Sequence, residues 1–108
     1  MEIKFSHAWN NKLSNSIFTT IRKYDFEKET YYQTSLGKTF DIILQNQKVR
    51  EAKLLQVEVR YFKDIDEYLL MLDTGKFKWL EQAKIFSSFG IDVIHDKVII
   101  LTFGEGNG

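Results

Sequence analysis

Apolar and polar residues alternate at the start of the chain, where Ile3 and Phe5 are interleaved with Glu2 and Lys4. That two-residue period predicts a short strand with one buried face. Ser6 then offers a capping hydroxyl for a brief helix through Leu13, weakened by Asn10-Asn11. Residues 17–22 read Ile-Phe-Thr-Thr-Ile-Arg and predict a second strand, because β-branched side chains prefer a pleated, half-buried surface. On such a strand Thr20 and Arg22 share a face, so one hydroxyl and one guanidinium point the same way. Residues 23–35 are polar with Tyr24, Phe26, Tyr31 and Tyr32 spread through them, which predicts a long loop. Its rings either pin it to the core or form a binding surface.

After Gly37, the residues Phe40, Ile42 and Leu44 alternate with Thr39, Asp41 and Gln45, predicting a third strand that turns at Asn46-Gln47. Beyond it, Ala52 and Leu54 are apolar on one parity and Leu55, Val57, Val59 and Tyr61 on the other. A flip of face near Leu54-Leu55 predicts a bulge or sharp bend, the device by which long strands close small barrels. Asp64-Ile65-Asp66-Glu67 resembles a capping box and predicts a helix over roughly 65–72. Trp79, Leu80, Ala83 and Phe86 recur at helical spacing, with Gly90 placed to end that helix in a left-handed cap. Val98-Ile99-Ile100-Leu101 predicts a strand covered on both faces, and the last five residues are expected to fray. Strands outnumber helices in this order. The prediction is one α+β domain over residues 1–108, a small mixed or antiparallel β-barrel with two to three short helices plugging or flanking it.

Composition narrows the chemistry. The 108 residues are 44% hydrophobic and 15% aromatic, enough for one core and too few for two. Formal net charge is zero, although residues 1–54 hold nine Lys/Arg against six Asp/Glu and residues 55–108 hold six against nine. Global basicity, the usual footprint of a nucleic-acid binder, is therefore missing, and any such binding has to come from a local patch. The absence of Cys excludes disulfides, thiolate metal sites and a cysteine nucleophile. His7 and His95 are the only histidines and do not form a ligand-spaced pair, so neither a metal nor another cofactor is expected. The opening residues lack a signal pattern, and no apolar run reaches the roughly 18 residues that span a bilayer. A soluble cytoplasmic protein without membrane partners is the expectation.

Several of these features occur in a recognisable order: Thr19-Thr20-Ile21-Arg22, Gly37-Lys38 opening a strand, Ala-x-Leu-x-x-Val from Ala52 to Val57, the acidic Asp64–Glu67, Asp73-Thr74-Gly75 before a helix, and a closing Ile-x-x-Phe from Ile100 to Phe103. Together they resemble the ASCH domain, a family of the PUA-like superfamily, over most of residues 1–103. The resemblance implies a PUA-like β-barrel with a cleft between barrel and helices, associated with RNA or modified-nucleoside recognition. It also implies a possible amidohydrolase chemistry on N4-acetylcytidine-type nucleosides, in which a Lys three residues before the Thr works with that Thr and with a carboxylate near the later helix. The Thr is Thr20 here and Asp73 is the carboxylate by position, but the Lys position holds Ile17. An Ile side chain neither accepts a proton nor stabilises an oxyanion. Lys12, Lys23 or Lys38 would have to supply the missing cation.

Each candidate has a functional and a plainer reading. Arg22 either clamps a phosphate or base edge through its planar fork of donors, or pairs with Asp41 or Glu58 across the sheet. Thr20 either bonds a ligand or packs as strand threonines do. Lys38, after Gly37, either meets phosphate or is a solvated turn lysine; Asp73 either takes part in hydrolysis or caps the next helix. Trp9 and Trp79 either stack on a base or fill core. Lys48, Arg50, Lys53 and Arg60 share a strand with Glu51 and Glu58, and simple parity puts Lys48 and Arg50 on one face. The leading expectation is a domain binding RNA or a modified nucleoside through Thr20, Arg22, Lys23 and Lys38. The alternatives are hydrolysis by Thr20 and Asp73, or a protein-interaction domain with a vestigial cleft.

Overall fold

A computed structural model describes residues 1–5, 13, 15–65 and 79–105. Its elements are β1 (Glu2–Phe5), β2 (Phe18–Lys23), α1 (Phe26–Thr34), β3 (Thr39–Leu44), β4 (Gln47–Tyr61), a 3-10 turn (Phe62–Asp64), α2 (Trp79–Ser88) and β5 (Lys97–Glu105). The strands form one mixed sheet in the order β1-β3-β4-β5-β2, in which β1 runs parallel to β3 and the other pairs are antiparallel. Among the described residues no ladder joins β1 to β2, so the closed barrel expected from the sequence is instead a curled half-barrel. Its outer strands still approach, since the Phe5 and Phe18 rings meet edge-on at 6.3 Å across the concave side. Among the described residues no helix is long and apolar enough to cross a membrane.

The curl originates in β4, which carries two irregularities. Opposite β5, Leu54 pairs with Phe103 and Gln56 with Thr102, leaving Leu55 as the extra residue of a bulge where the apolar parity flips. A Cβ added to Gly104 would lie 2.5 Å from Leu55 Cδ1, so the bulged side chain crosses over the glycine and would have to turn aside for any larger residue there. Opposite β3, Ile42 pairs with Arg50 and Ile43 with Lys48, which leaves Val49 unpaired in the same way. The two bulges turn one 15-residue strand enough to serve both halves of the sheet.

Two cores result. Phe5, Phe18, Phe40, Ile42, Leu54, Ile99, Leu101 and Phe103 fill the concave side, where the Phe18 and Phe103 rings stack at 5.4 Å. Ile21, Phe62, Phe86, Ile91, Val98 and Ile100 form a second core between the outer face of β2–β5 and α2. Strand β5 supplies alternate residues to both, as its unbroken apolar run predicts. The strand also runs to Glu105, which pairs with Ala52, so the expected fraying does not begin at residue 104. The left-handed stop of α2 at Gly90 is present, with φ +82°.

Residues 26–34 are a helix and not the expected loop. Asp25 caps it by accepting from the backbone N–H of Glu27 and Lys28 at 2.8 and 3.2 Å, and Glu27 and Glu29 place negative charge in its first turn. The apolar stripe that reveals most helices is missing because none of its residues is buried. The β3–β4 turn falls at Gln45-Asn46, one residue before the expected position, with φ +51° and +67° at the two residues. This is the paired positive-φ geometry of a two-residue hairpin. The helices expected over Ser6–Leu13 and 65–72 lie outside the described residues, apart from buried Leu13 and from Ile65, which follows the 3-10 turn.

Candidate functional site

Strand β2 places Thr20 opposite Leu101 and Arg22 opposite Ile99, both concave-core residues, so the hydroxyl and the guanidinium turn inward together. Arg22 Nε donates to Thr20 Oγ1 at 3.1 Å, and the guanidinium carbon lies 4.5 Å from the centre of the Phe5 ring. Thr20 is buried and Arg22 half-buried. A charge-assisted bond on the edge and a ring beneath the plane hold the guanidinium in one orientation. Tyr32, projecting from α1 onto the concave core, completes this end of the half-barrel. Burial pushes its phenol above the ordinary value, and the positive charge of Arg22 offsets part of that rise. Beside it, Tyr24 Oη donates to Glu29 Oε1 at 3.0 Å while Lys97 Nζ sits 4.7 Å above the Tyr24 ring.

The other expected site residues go elsewhere. Lys23 falls on the opposite face of β2, where its ammonium lies 3.5 Å from the position of a Cβ on Gly90. It thus supplies positive charge at the C-terminal end of α2, a helix with no basic residue in its last turn. Lys38 is exposed and its backbone extends the β3–β4 ladder, with the Leu54 N–H donating to the Lys38 carbonyl at 3.0 Å. In the strand order β3, which Lys38 precedes, stands three steps from β2. Ile17, at the expected lysine position, is 61% exposed at the foot of β2. Asp73, Lys12, Trp9 and the Trp79 side chain lie outside the described residues.

The expected basic face on β4 is divided by the Val49 bulge. Arg50 turns inward with Ile42, where Nη1 donates to the carbonyls of Leu13 and Asn15 at 3.1 and 2.6 Å and the guanidinium lies 5.6 Å over Phe18. Lys48 turns outward and bridges Asp41 and Glu51 at 3.3 and 2.9 Å, which raises its pKa. Arg60 pairs with Glu58 at 2.9 Å. The carboxylates considered as partners for Arg22 therefore belong to Lys48 and Arg60. The stripe is locally neutralised rather than one-sided.

Sequence reasoning missed an open depression of about 540 Å³ beside β1, lined by Lys4, Phe5, Ile43, Gln45 and Asn46. Phe5 belongs to both places, lining this hollow and underlying Arg22. Nothing in the local pattern around Lys4 announces it, because its walls come from β1, β3 and the hairpin tip. Among the described residues no group of three or more His, Asp or Glu is placed to hold a metal ion. No family model, curated protein or solved structure matches the chain, so the functional reading rests on this geometry and on the sequence resemblance.

Proposed function

We propose that the chain is an ASCH-type, PUA-like domain that binds an unpaired RNA segment or a modified nucleoside at the Arg22 end of the half-barrel. The observation that carries this reading is Arg22 itself: a half-buried guanidinium on the concave face, oriented by Thr20 Oγ1 at 3.1 Å and by Phe5 at 4.5 Å, with Tyr32 nearby. A planar, pre-oriented fork suits a phosphate or a base edge better than a mobile lysine does. Aromatic rings alongside favour an unstacked base. With no net charge on the chain, duplex affinity has little electrostatic support, which favours single strands and nucleosides.

Hydrolysis of acetylated cytidine is the weaker reading. Thr20 Oγ1 accepts from Arg22, and Ile17 provides no base at the lysine position. Titration of short single-stranded RNAs, cytidine and N4-acetylcytidine, with product analysis of the last, tests both readings. Binding that weakens at least about tenfold in a folded Arg22→Ala variant is expected. Affinity for none of these ligands, or binding indifferent to Arg22, would sink the proposal; deacetylation lost on Thr20 substitution would replace it with the enzyme.

A further inference from the structure

We infer that the RNA site continues from Arg22 along the rim of the concave face, across the ends of β2, β5 and β4, as a row of cations and tyrosines that takes a single strand of at least two nucleotides. This rests on the nucleic-acid reading above and gives it a direction and a length. Three strand ends make the row. Tyr24 follows β2 and packs against the concave core, Lys97 opens β5, and Tyr61, the Cα partner of Lys97, closes β4. Lys97 has the parity of the core residues Ile99 and Leu101, and Tyr61 that of Val57 and Val59, which pack against the same core. Both therefore share the face of Arg22, whose own partner is Ile99. Lys63, in the 3-10 turn after β4, places its ammonium 5.8 Å from the centre of the Tyr61 ring.

The row has the chemistry of a single-strand path. Lys63 and Lys97 are exposed, and among the described residues neither pairs with a carboxylate, whereas Lys48 is occupied by Asp41 and Glu51 and Arg60 by Glu58. Ammonium groups left without a carboxylate suit phosphates as point charges. Tyr61 is 48% exposed, which leaves ring surface for a base, and such stacking tolerates any base. Tyr24 is a positioning residue: its hydroxyl donates to Glu29 at 3.0 Å and Lys97 lies 4.7 Å over its ring, so it fixes where that ammonium stands. Neighbouring strands lie about 4.8 Å apart, which puts the end of β4 two spacings, about 10 Å, from β2. The group held by Arg22 is followed in that direction by a phosphate at Lys97, a base on Tyr61 and a further phosphate at Lys63.

The test compares uridine monophosphate with oligouridine of roughly six nucleotides, a length within the range of one small single-strand site. Tyr61→Thr, Tyr61→Phe, Lys63→Gln, Lys97→Gln and Arg22→Ala are titrated at several salt concentrations, with melting temperatures to confirm that each is folded. The oligomer should bind at least about tenfold tighter than the mononucleotide. Tyr61→Thr should weaken the oligomer by at least about fivefold, Tyr61→Phe should bind it as the native chain does, and the mononucleotide, held at Arg22, should respond to neither. Lys63→Gln and Lys97→Gln should each lower the slope of log affinity for the oligomer against log salt by about 0.7, a change that loss of a merely structural lysine does not produce. Arg22→Ala should weaken both probes. An oligomer that binds no tighter than the mononucleotide, or that ignores Tyr61 and the two lysines while responding to Arg22, overturns the extended path and leaves the Arg22 site. Failure of both probes to bind, or binding indifferent to Arg22, overturns the two together.

Discussion

Arg22 Nε and Thr20 Oγ1 are joined at 3.1 Å by side chains two positions apart on β2, a contact possible only because alternate residues of a strand share a face. The bond directs one acceptor lone pair of the threonine hydroxyl to orienting a cation. Thr20 is thus a positioning residue for Arg22.

Replacing Thr20 with Val preserves shape and strand preference but removes the acceptor. Loss of one partly buried, charge-assisted bond is expected to cost about 1–2 kcal/mol in urea unfolding, with Thr20→Ser recovering most of it. The binding proposed above should weaken in the valine variant and return in the serine variant. Unchanged stability in Thr20→Val would show that the bond contributes nothing net.

Arg50 joins β4 to the segment before β2 through the carbonyls of Leu13 and Asn15. Arg50→Met retains the apolar stem against Phe18 but leaves those carbonyls without their donor. A loss of about 2 kcal/mol is expected by chemical denaturation, with Arg50→Lys only partly restoring it because one ammonium cannot reproduce the planar fork. Unchanged stability in Arg50→Met would show that these bonds contribute nothing net.

At Gly104 an added methyl would collide with Leu55, whose side chain is 47% exposed and free to turn outward. Gly104→Ala is therefore expected to cost about 1 kcal/mol rather than abolish folding. Combining it with Leu55→Ala should remove most of that cost. A double-mutant cycle giving zero coupling would mean that the bulge does not bring the two together.

Asp92 closes the connection between α2 and β5. Its carboxylate takes a hydrogen bond from the His95 ring at 3.0 Å and from the backbone N–H groups of Ile94 and His95, which hold its pKa below the ordinary 3.8. A carboxylate whose folded pKa is depressed contributes stability above its unfolded value and loses it as pH falls through the folded one. The stability gap between the protein and its Asp92→Asn variant should accordingly shrink as pH falls below about 4. Guanidinium titrations at a series of pH values measure it, and a gap unchanged down to pH 2 would contradict the sign.

Residues 1–5, 17–22 and 98–101 show how much local pattern carries. Alternation or unbroken β-branched character named the strands, the common face of Thr20 and Arg22, and the doubly covered β5. The parity flip at Leu54-Leu55 located a bulge before any partner strand was known. Helix α1 escaped because amphipathic periodicity is a sign of burial, and none of its residues is buried; Asp25 with Glu27 and Glu29 was the remaining signal. Lys48 and Arg50 were placed on one face because the second bulge, at Val49, leaves no mark on a strand stretch that is already polar on both parities.

Local side-chain preference by itself determined which segments are strands, which way most of their residues face, and that Thr20 and Arg22 act on one surface, because these are short-range consequences of backbone sterics and period. Only the tertiary structure decided that the sheet stops at a half-barrel, that Lys23 serves α2 while Arg22 serves the concave face, that Arg50 is structural, and that the Phe5 ring lies beneath the Arg22 guanidinium. Those facts depend on which strands become neighbours, and a neighbour drawn from 17 or more positions away is set by the summed packing of the whole core.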